Sequence, residues 1–236
     1  MTTDIVVMTC ERLDLLKRTL EHIWARTKTP YRLHIIDDAS TTGNADYIRG
    51  LLQEGRIYNA VLREARAGIP AALHTALQIT KSDPLVITDD DILCPRLEPD
   101  WLARGLAEME DLPQLGVLAL NNPQSNVGDK GQRLNRRRAR AVNGGVTICR
   151  NVGGTFAFVR RAVLRDFTPP PRTEMSFKTM CINCRRDGWL VGYLTDVYCQ
   201  HLGIVSVRMR RKIDSCFHNV LPLNPETLIP AEQYRG

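Results

Sequence analysis

Short β-branched apolar runs and longer stretches of 3.6-residue periodicity take turns along the chain. Ile5 to Met8 reads as a strand, and from Arg12 a helix pattern places Leu13, Leu16, Leu20, Ile23 and Trp24 on one face. Tyr31 to Ile36 gives a second strand that runs into Asp37 and Asp38, followed by a turn over Ala39 to Gly43 and a helical stretch from Tyr47 to Leu52. Tyr58 to Leu62 is a third strand. Ile69 to Ile79 is a helix with Pro70 in its first turn, and Leu85 to Thr88 is a fourth strand running into Asp89, Asp90 and Asp91. Strand and helix in alternation predict a single α/β domain, with a mostly parallel central sheet flanked by helices on both faces.

The second half is less regular. Trp101 to Met109 reads as a helix and Leu115 to Ala119 as a strand, after which a glycine- and arginine-rich stretch loses its period. Phe156 to Val159 and Val163 to Phe167 resume as strand and helix. Phe177 to Arg186 is a helix stopped by Asp187-Gly188, and Leu190 to Tyr198 is the last strand. The tail from Leu221 carries three prolines and predicts no element of its own. Trp24, Trp101 and Trp189 belong to the core or its rim, with Trp189 able to border an acceptor.

With 236 residues, 43% of them hydrophobic and 25% charged, the chain fits one large folded domain and excludes disordered and low-complexity classes. The start MTTDIVVMTC predicts no leader, and no run approaches the ~18 apolar residues of a membrane span. Seven scattered cysteines predict a reducing compartment. The expectation is therefore a cytoplasmic protein, in host cytoplasm if the chain is viral.

The net charge of +6 is unevenly spread. Between Lys130 and Arg150 stand Lys130, Arg133, Arg136, Arg137, Arg138, Arg140 and Arg150 without an Asp or Glu, and Arg208, Arg210, Arg211 and Lys212 form a second knot. Arginine suits bidentate phosphate contacts, so an anionic partner is expected at Arg133, Arg136, Arg137, Arg138 and Arg140.

Ligands of open parallel sheets bind beyond the carboxyl ends of the strands. Thr9, Cys10 and Glu11, then Asp37 and Asp38, then Arg63 and Arg66, and finally Asp89 to Asp91 fall there. Three adjacent carboxylates at a strand end call for a cation, and hard oxygen donors point to Mg²⁺ or Mn²⁺ shared with a diphosphate. Cys181 and Cys184, with Cys199 and His201, have zinc-ligand types at a spacing that is not standard for zinc. The plain reading is a pair of half-buried thiols.

DIVVMTCER (Asp4 to Arg12), HIIDDAST (His34 to Thr41), AGIPAALHTAL (Ala67 to Leu77), ITDDDILCP (Ile87 to Pro95), GGTFAFVRRAVL (Gly153 to Leu164) and GWLVGYLTDVYCQHLG (Gly188 to Gly203) come in an order that resembles family 2 glycosyltransferases of the GT-A fold. The resemblance implies a Rossmann-like GT-A domain. Residues 1–100 would form its nucleotide-sugar half and 101–203 its acceptor half, with the basic segment at 130–150 and a knot and tail over 204–236. It implies that Thr9 and Glu11 line the base pocket, that Asp38 accepts a hydrogen bond from the base, and that Arg66 lies near the base or diphosphate. Asp89 would reach the ribose and Asp90 the metal, with Asp91 supporting or sharing that role, and His201 would reach the metal or diphosphate. The family usually has an aspartate where Thr88 stands. Its usual acidic pair before the final strand is replaced here by Ser176 and Phe177, which makes Glu174 the candidate catalytic base.

The function so implied is metal-dependent, inverting transfer of a sugar from a nucleotide-diphosphate sugar, with UDP-sugars favoured, to a hydroxyl on an anionic acceptor. A hydroxymethylated base in DNA is the expected acceptor, because no hydrophobic anchor accompanies the arginines. Two alternatives stay open: a transferase for cell-surface or lipid-linked glycans, and a non-catalytic nucleic-acid-binding protein on the same scaffold.

Overall fold

A computed structural model of the chain describes residues 2–122, 141–165 and 177–202. Its central strand, β1 (Thr3–Thr9), is buried along its whole length, as a β-branched run between two neighbours should be. β1 pairs in parallel with β2 (Tyr31–Asp37) on one side and β4 (Leu85–Asp89) on the other, and β2 pairs in parallel with β3 (Asn59–Leu62). The register sets Thr9 opposite Asp37 and Met8 opposite Asp89. Three strands therefore release their polar ends at one edge.

The connecting helices are α1 (Leu13–Arg26), α2 (Asn44–Gln53) and α3 (Gly68–Ile79). The two-residue period of β1 sends Ile5 and Val7 into a core with Leu16, Leu20, Ile48 and Trp101, and Val6 and Met8 into a second core with Leu73, Ala76 and Met180. Each sheet face thus has its own apolar layer.

Beyond β4 the sheet becomes mixed. β5 (Ile92–Leu93), α4 (Trp101–Asp111), β6 (Leu115–Asn121), β7 (Ala141–Asn143), β8 (Val146–Ile148), β9 (Ala157–Val159), α5 (Arg161–Arg165), α6 (Phe177–Arg186), β10 (Leu190–Tyr198) and β11 (Gln200–His201) follow in chain order. The strand order is β3-β2-β1-β4-β9-β6-β10-β8-β7, with β11-β5 as a separate pair. β9 runs antiparallel between β4 and β6, and β10 is parallel to β6. α4 starts at Asp100, whose carboxylate accepts from Ala103 N–H at 2.9 Å and also from Thr29 N–H at 2.7 Å, tying α4 to the end of α1. Gly105 is required where α4 crosses β9, since a Cβ there would lie 2.0 Å from the Phe158 ring. α6 ends as expected, with Gly188 at φ +88° and Trp189 N–H returning to Cys184 O at 3.0 Å.

The hairpin β7–β8 turns at Gly144 and Gly145 inside the stretch where no period is legible, and β5 and β11 are too short to leave one. Among the described residues the cysteines do not converge as a zinc site. Cys181 and Cys184 belong to one core and Cys199 to the other, and burial pushes their thiols up to about 11, 12 and 12. Trp101 is fully buried against Phe156 and Phe158, while Trp24 and Trp189 are half-buried at the margins. No helix among the described residues is long and apolar enough to cross a membrane.

Candidate active site

The ends of β1, β2 and β4 converge on a set of acidic loops. After β1 the backbone turns at Glu11, which sits in the left-handed region at φ +61°. Glu11 N–H donates to Ser40 Oγ at 2.8 Å, and its carboxylate accepts from Thr41 N–H at 3.0 Å and from Arg66 Nη2 at 2.5 Å. The loop after β2 carries Ala39, also left-handed at φ +59°, and is closed by Asp37 accepting from Ser40 N–H at 3.0 Å. Two non-glycine residues held at positive φ on facing loops mark this edge as built for more than stability.

Asp38 fastens the second loop to α3. Its carboxylate accepts from Ala67 N–H at 2.9 Å, Gly68 N–H at 2.8 Å and Arg63 Nη1 at 2.9 Å. Burial pushes this carboxyl up, but the two N–H groups and Arg63 outweigh it and hold the carboxyl below the usual range. Asp38 is expected from the sequence to receive a hydrogen bond from a base. It sits at the right edge, but with three internal donors and spare acceptor capacity on Oδ2.

The acidic triplet lies between these loops and β11. Asp90 is fully buried, and its two oxygens are taken by Thr9 Oγ1 at 2.6 Å and by Arg12. Thr9 in turn accepts from the Asn44 amide at 3.1 Å, and Thr19 Oγ1 donates to Asp90 O at 2.8 Å. The other arm of the Arg12 guanidinium binds Asp91 Oδ2. β11 places His201 opposite Ile92, so His201 Nε2 meets the same oxygen of Asp91 at 3.2 Å. Asp91 is 2% exposed, and its Oδ1 is buried with no hydrogen-bond partner.

Asp89 is the outermost of the three. Its N–H donates to Gly154 O at 3.1 Å, and its carboxylate lies over Gly154, where a Cβ would be 3.0 Å from Asp89 Oδ2 and 2.5 Å from the Phe177 ring. The absence of a side chain at 154 thus lets β4, the loop before β9 and the start of α6 meet at this point.

Electrostatics follow the packing. Burial and the charges of Asp91 and Asp90 push the Asp89 carboxyl up. Burial pushes Asp90 up by more than Arg12 brings it down. Burial also raises Asp91, but His201 and Arg12 together pull it below the usual range. Burial lowers His201, and Asp91 more than reverses this.

These positions change the sequence expectation in three ways. First, the triplet does not wait for a metal to be neutralised, because the chain supplies Arg12. Among the described residues no three His, Cys, Asp or Glu side chains form a ready metal cage. Second, Asp90 is expected to reach the metal with Asp91 supporting or sharing that role; the oxygens of Asp90 face Thr9 and Arg12, and the oxygen left unpartnered belongs to Asp91. Third, Thr9 is expected in a base pocket, yet it is buried and its hydroxyl is spent on Asp90 and Asn44. Glu11, Arg66, Asp38, Asp89, Asp91 and His201 are brought to one edge. Glu174 and Arg133, Arg136, Arg137, Arg138 and Arg140 lie outside the described residues. Arg12, Ser40, Thr41 and Asn44 complete the edge without a sequence signal of their own.

The donor set still fits a divalent ion. An unpartnered, buried carboxylate oxygen with an imidazole beside it offers hard oxygen and borderline nitrogen ligands, and one or two carboxylates are what a phosphate-bound Mg²⁺ or Mn²⁺ takes from a protein.

Solved structures share this architecture. A mannosyltransferase from Pyrobaculum calidifontis, in complex with GDP-Man and Mn²⁺, superposes with a TM-score of 0.70 at 21% identity over 89% of this chain and 59% of that one. GalNAc-T7 with UDP, GalNAc and Mn²⁺ gives 0.63 at 17% identity, covering 85% and 43%. S. aureus TarS residues 1–349 give 0.58 at 15% identity, covering 84% and 60%. The chain therefore spans three fifths or less of these proteins. A sequence comparison with curated proteins finds no match. The family model described as Glycosyl transferase family 2 matches residues 4–168, so with a GT-A fold and this acidic edge the chain belongs to family 2 of the glycosyltransferases.

Proposed function

We propose that the protein is a metal-dependent glycosyltransferase that takes a nucleotide-diphosphate sugar and passes the sugar, with inversion, to a hydroxyl of an anionic acceptor. The observation that carries this reading is the Asp89-Asp90-Asp91 cluster, with Asp90 and Asp91 buried and Asp91 Oδ1 unpartnered beside His201. Asp91 and His201 would hold Mn²⁺ or Mg²⁺, which when bound offsets charge on the departing diphosphate. Glu11 and Asp38 shape the nucleoside end, with Arg66 held by Glu11 at 2.5 Å where it can face the base or diphosphate. Asp89, the most accessible of the triplet, is suited to the ribose or sugar hydroxyls. The two similar structures with UDP or UDP-sugar partners favour uridine over guanosine, for which the mannosyltransferase speaks.

Inversion needs one base beside the acceptor hydroxyl. Phe177 packs against Gly154 next to Asp89. Glu174, three positions before Phe177 in the sequence, is the carboxylate assigned to that role. The acceptor is assigned to the basic stretch at 130–150, and a hydroxymethylated base in DNA supplies both the hydroxyl and the phosphates.

The test has two stages. Hydrolysis of UDP- and GDP-sugars is measured with Mn²⁺ and with EDTA. Metal-dependent release of nucleoside diphosphate is expected, and none from any donor overturns the transferase reading. Transfer to hydroxymethylated duplex DNA is then measured at rising salt. Transfer that fades with salt is expected, and transfer to neutral sugar acceptors alone overturns the DNA assignment.

A further inference from the structure

Arg12 is a half-buried cation that the proposed chemistry does not use. It is 23% exposed, it binds the fully buried Asp90 with one arm and Asp91 with the other, and it does so beside the oxygen offered to a metal. We infer that Arg12 is an internal counter-ion that competes with the divalent metal for Asp90 and Asp91, so that the metal binds tightly only together with the diphosphate of the donor.

Consider what the chain offers a metal while Arg12 is in place. Both Asp90 oxygens are engaged, by Thr9 and Arg12, and Asp91 Oδ2 is shared between Arg12 and His201. Asp91 Oδ1 remains. One free carboxylate oxygen, with the His201 imidazole turned to Oδ2, is a poor site for an ion that takes about six ligands, and the Arg12 charge nearby repels it. A diphosphate changes both conditions, because it adds oxygens to the metal's coordination sphere and brings negative charge that can share the guanidinium. The order of binding then follows from residue 12. Metal alone binds weakly, and metal with nucleotide binds well. The same guanidinium bridges Asp90 and Asp91 and so offsets the repulsion between them in the metal-free cluster.

This inference rests on the transferase reading for the presence of a metal, and Mn²⁺ binding without turnover separates the two. Free Mn²⁺ is titrated by electron paramagnetic resonance against wild type, Arg12→Gln and Arg12→Lys, each with and without UDP. Wild type is expected to bind Mn²⁺ at least tenfold more tightly with UDP than without. Arg12→Gln, which keeps a polar side chain but removes the charge, should bind Mn²⁺ alone at least tenfold more tightly than wild type, and its thermal midpoint should rise on adding the metal. Arg12→Lys, able to neutralise one carboxylate at a time, should fall between them. If Arg12→Gln does not fold without metal, folding in its presence supports the inference, and Arg12→Lys carries the comparison. Affinity of Arg12→Gln for Mn²⁺ alone that is unchanged or lower overturns the inference, as does a lysine variant indistinguishable from wild type when the glutamine variant is not folded. Absence of Mn²⁺ binding to every form, UDP included, overturns the metal-dependent reading itself.

Discussion

Two buried aspartate–arginine clusters stand at opposite ends of the same strands, and they are built differently. At the start of β1, Asp4 accepts from Arg32 Nε at 2.7 Å and Nη2 at 3.0 Å, from Lys81 N–H at 2.7 Å and Ser82 N–H at 2.8 Å, and lies 3.0 Å from His34 Nε2. One negative charge meets one positive charge, and both carboxylate oxygens are satisfied. His34 Nδ1 is left without a partner, but on a ring that burial keeps neutral. At the far end three carboxylates share one arginine and one histidine, and a carboxylate oxygen goes unpartnered. The first cluster is closed and explains itself as a clamp between β1, β2 and the approach to β4. The second keeps a surplus of charge and an unpartnered buried oxygen, a combination that clusters at functional sites.

The largest expected effect separates the two ends by rate. Asp91→Asn removes the charge beside the unpartnered oxygen while keeping the shape, and metal-dependent transfer should fall about 1000-fold, or about 4 kcal/mol of transition-state stabilisation. The thermal midpoint should change little. Asp4→Asn should do the reverse. It removes the buried charge on which Arg32 and the Lys81 and Ser82 N–H groups converge, so the urea midpoint should fall, while kcat of the folded fraction stays at the wild-type value. Loss of activity in Asp4→Asn at temperatures where it is folded would break the contrast.

The difference between the clusters was only half legible in the sequence. The strands and helices up to β4 announce themselves because each buries an unbroken apolar period, and the order of polar strand ends placed Glu11, Asp38 and the acidic triplet at one edge. The counter-ion was not legible, since Arg12 and Asp90 are 78 positions apart and only the parallel pairing of β1 with β4 joins them. His201 reaches Asp91 through β11, a strand of two residues that leaves no pattern. The reversed direction of β9 is equally silent, because a two-residue period is the same in either direction. Which oxygen is open is decided by side-chain geometry, which no sequence pattern carries: of the two carboxylates expected at the metal, Asp91 is the one with an unpartnered oxygen.

The two ends should also answer pH with opposite sign. Asp4 is held below the usual carboxylate range: burial raises it, and Arg32 with the Lys81 and Ser82 N–H groups more than reverses this. Its contribution is complete above the unfolded value of about 3.9 and is lost as pH falls below it. His34, lowered by burial, adds to that loss from about pH 6.5 downward, because the unfolded ring takes a proton that the folded ring refuses. Wild-type stability should therefore fall with acid by up to about 1.4 kcal/mol per pH unit for each proton involved, and Asp4→Asn should flatten the limb below pH 4. A limb of equal steepness in both proteins would remove Asp4 from the account.

The smallest effect comes from the donor end, where the sign reverses. Burial and two neighbouring carboxylates raise Asp89, so the folded protein holds a proton there that the unfolded chain has released. That contribution to stability is present below the unfolded value of about 3.9 and is lost as pH rises through the higher folded value. At pH 8 the metal-free protein carries the full repulsion among Asp89, Asp90 and Asp91, and Asp89→Asn should relieve it by about 1 kcal/mol, raising the midpoint while lowering transfer. At pH 5 wild-type Asp89 is largely protonated and the gain should shrink. Saturating Mn²⁺ and UDP should abolish the gain at both values, because a bound cation supplies what the substitution removed. A gain in Asp89→Asn that persists unchanged with metal and nucleotide would mean that the strain comes from packing against Gly154 and Phe177 rather than from surplus charge, and the distinction between a closed clamp and an open site would then rest on Asp91 alone.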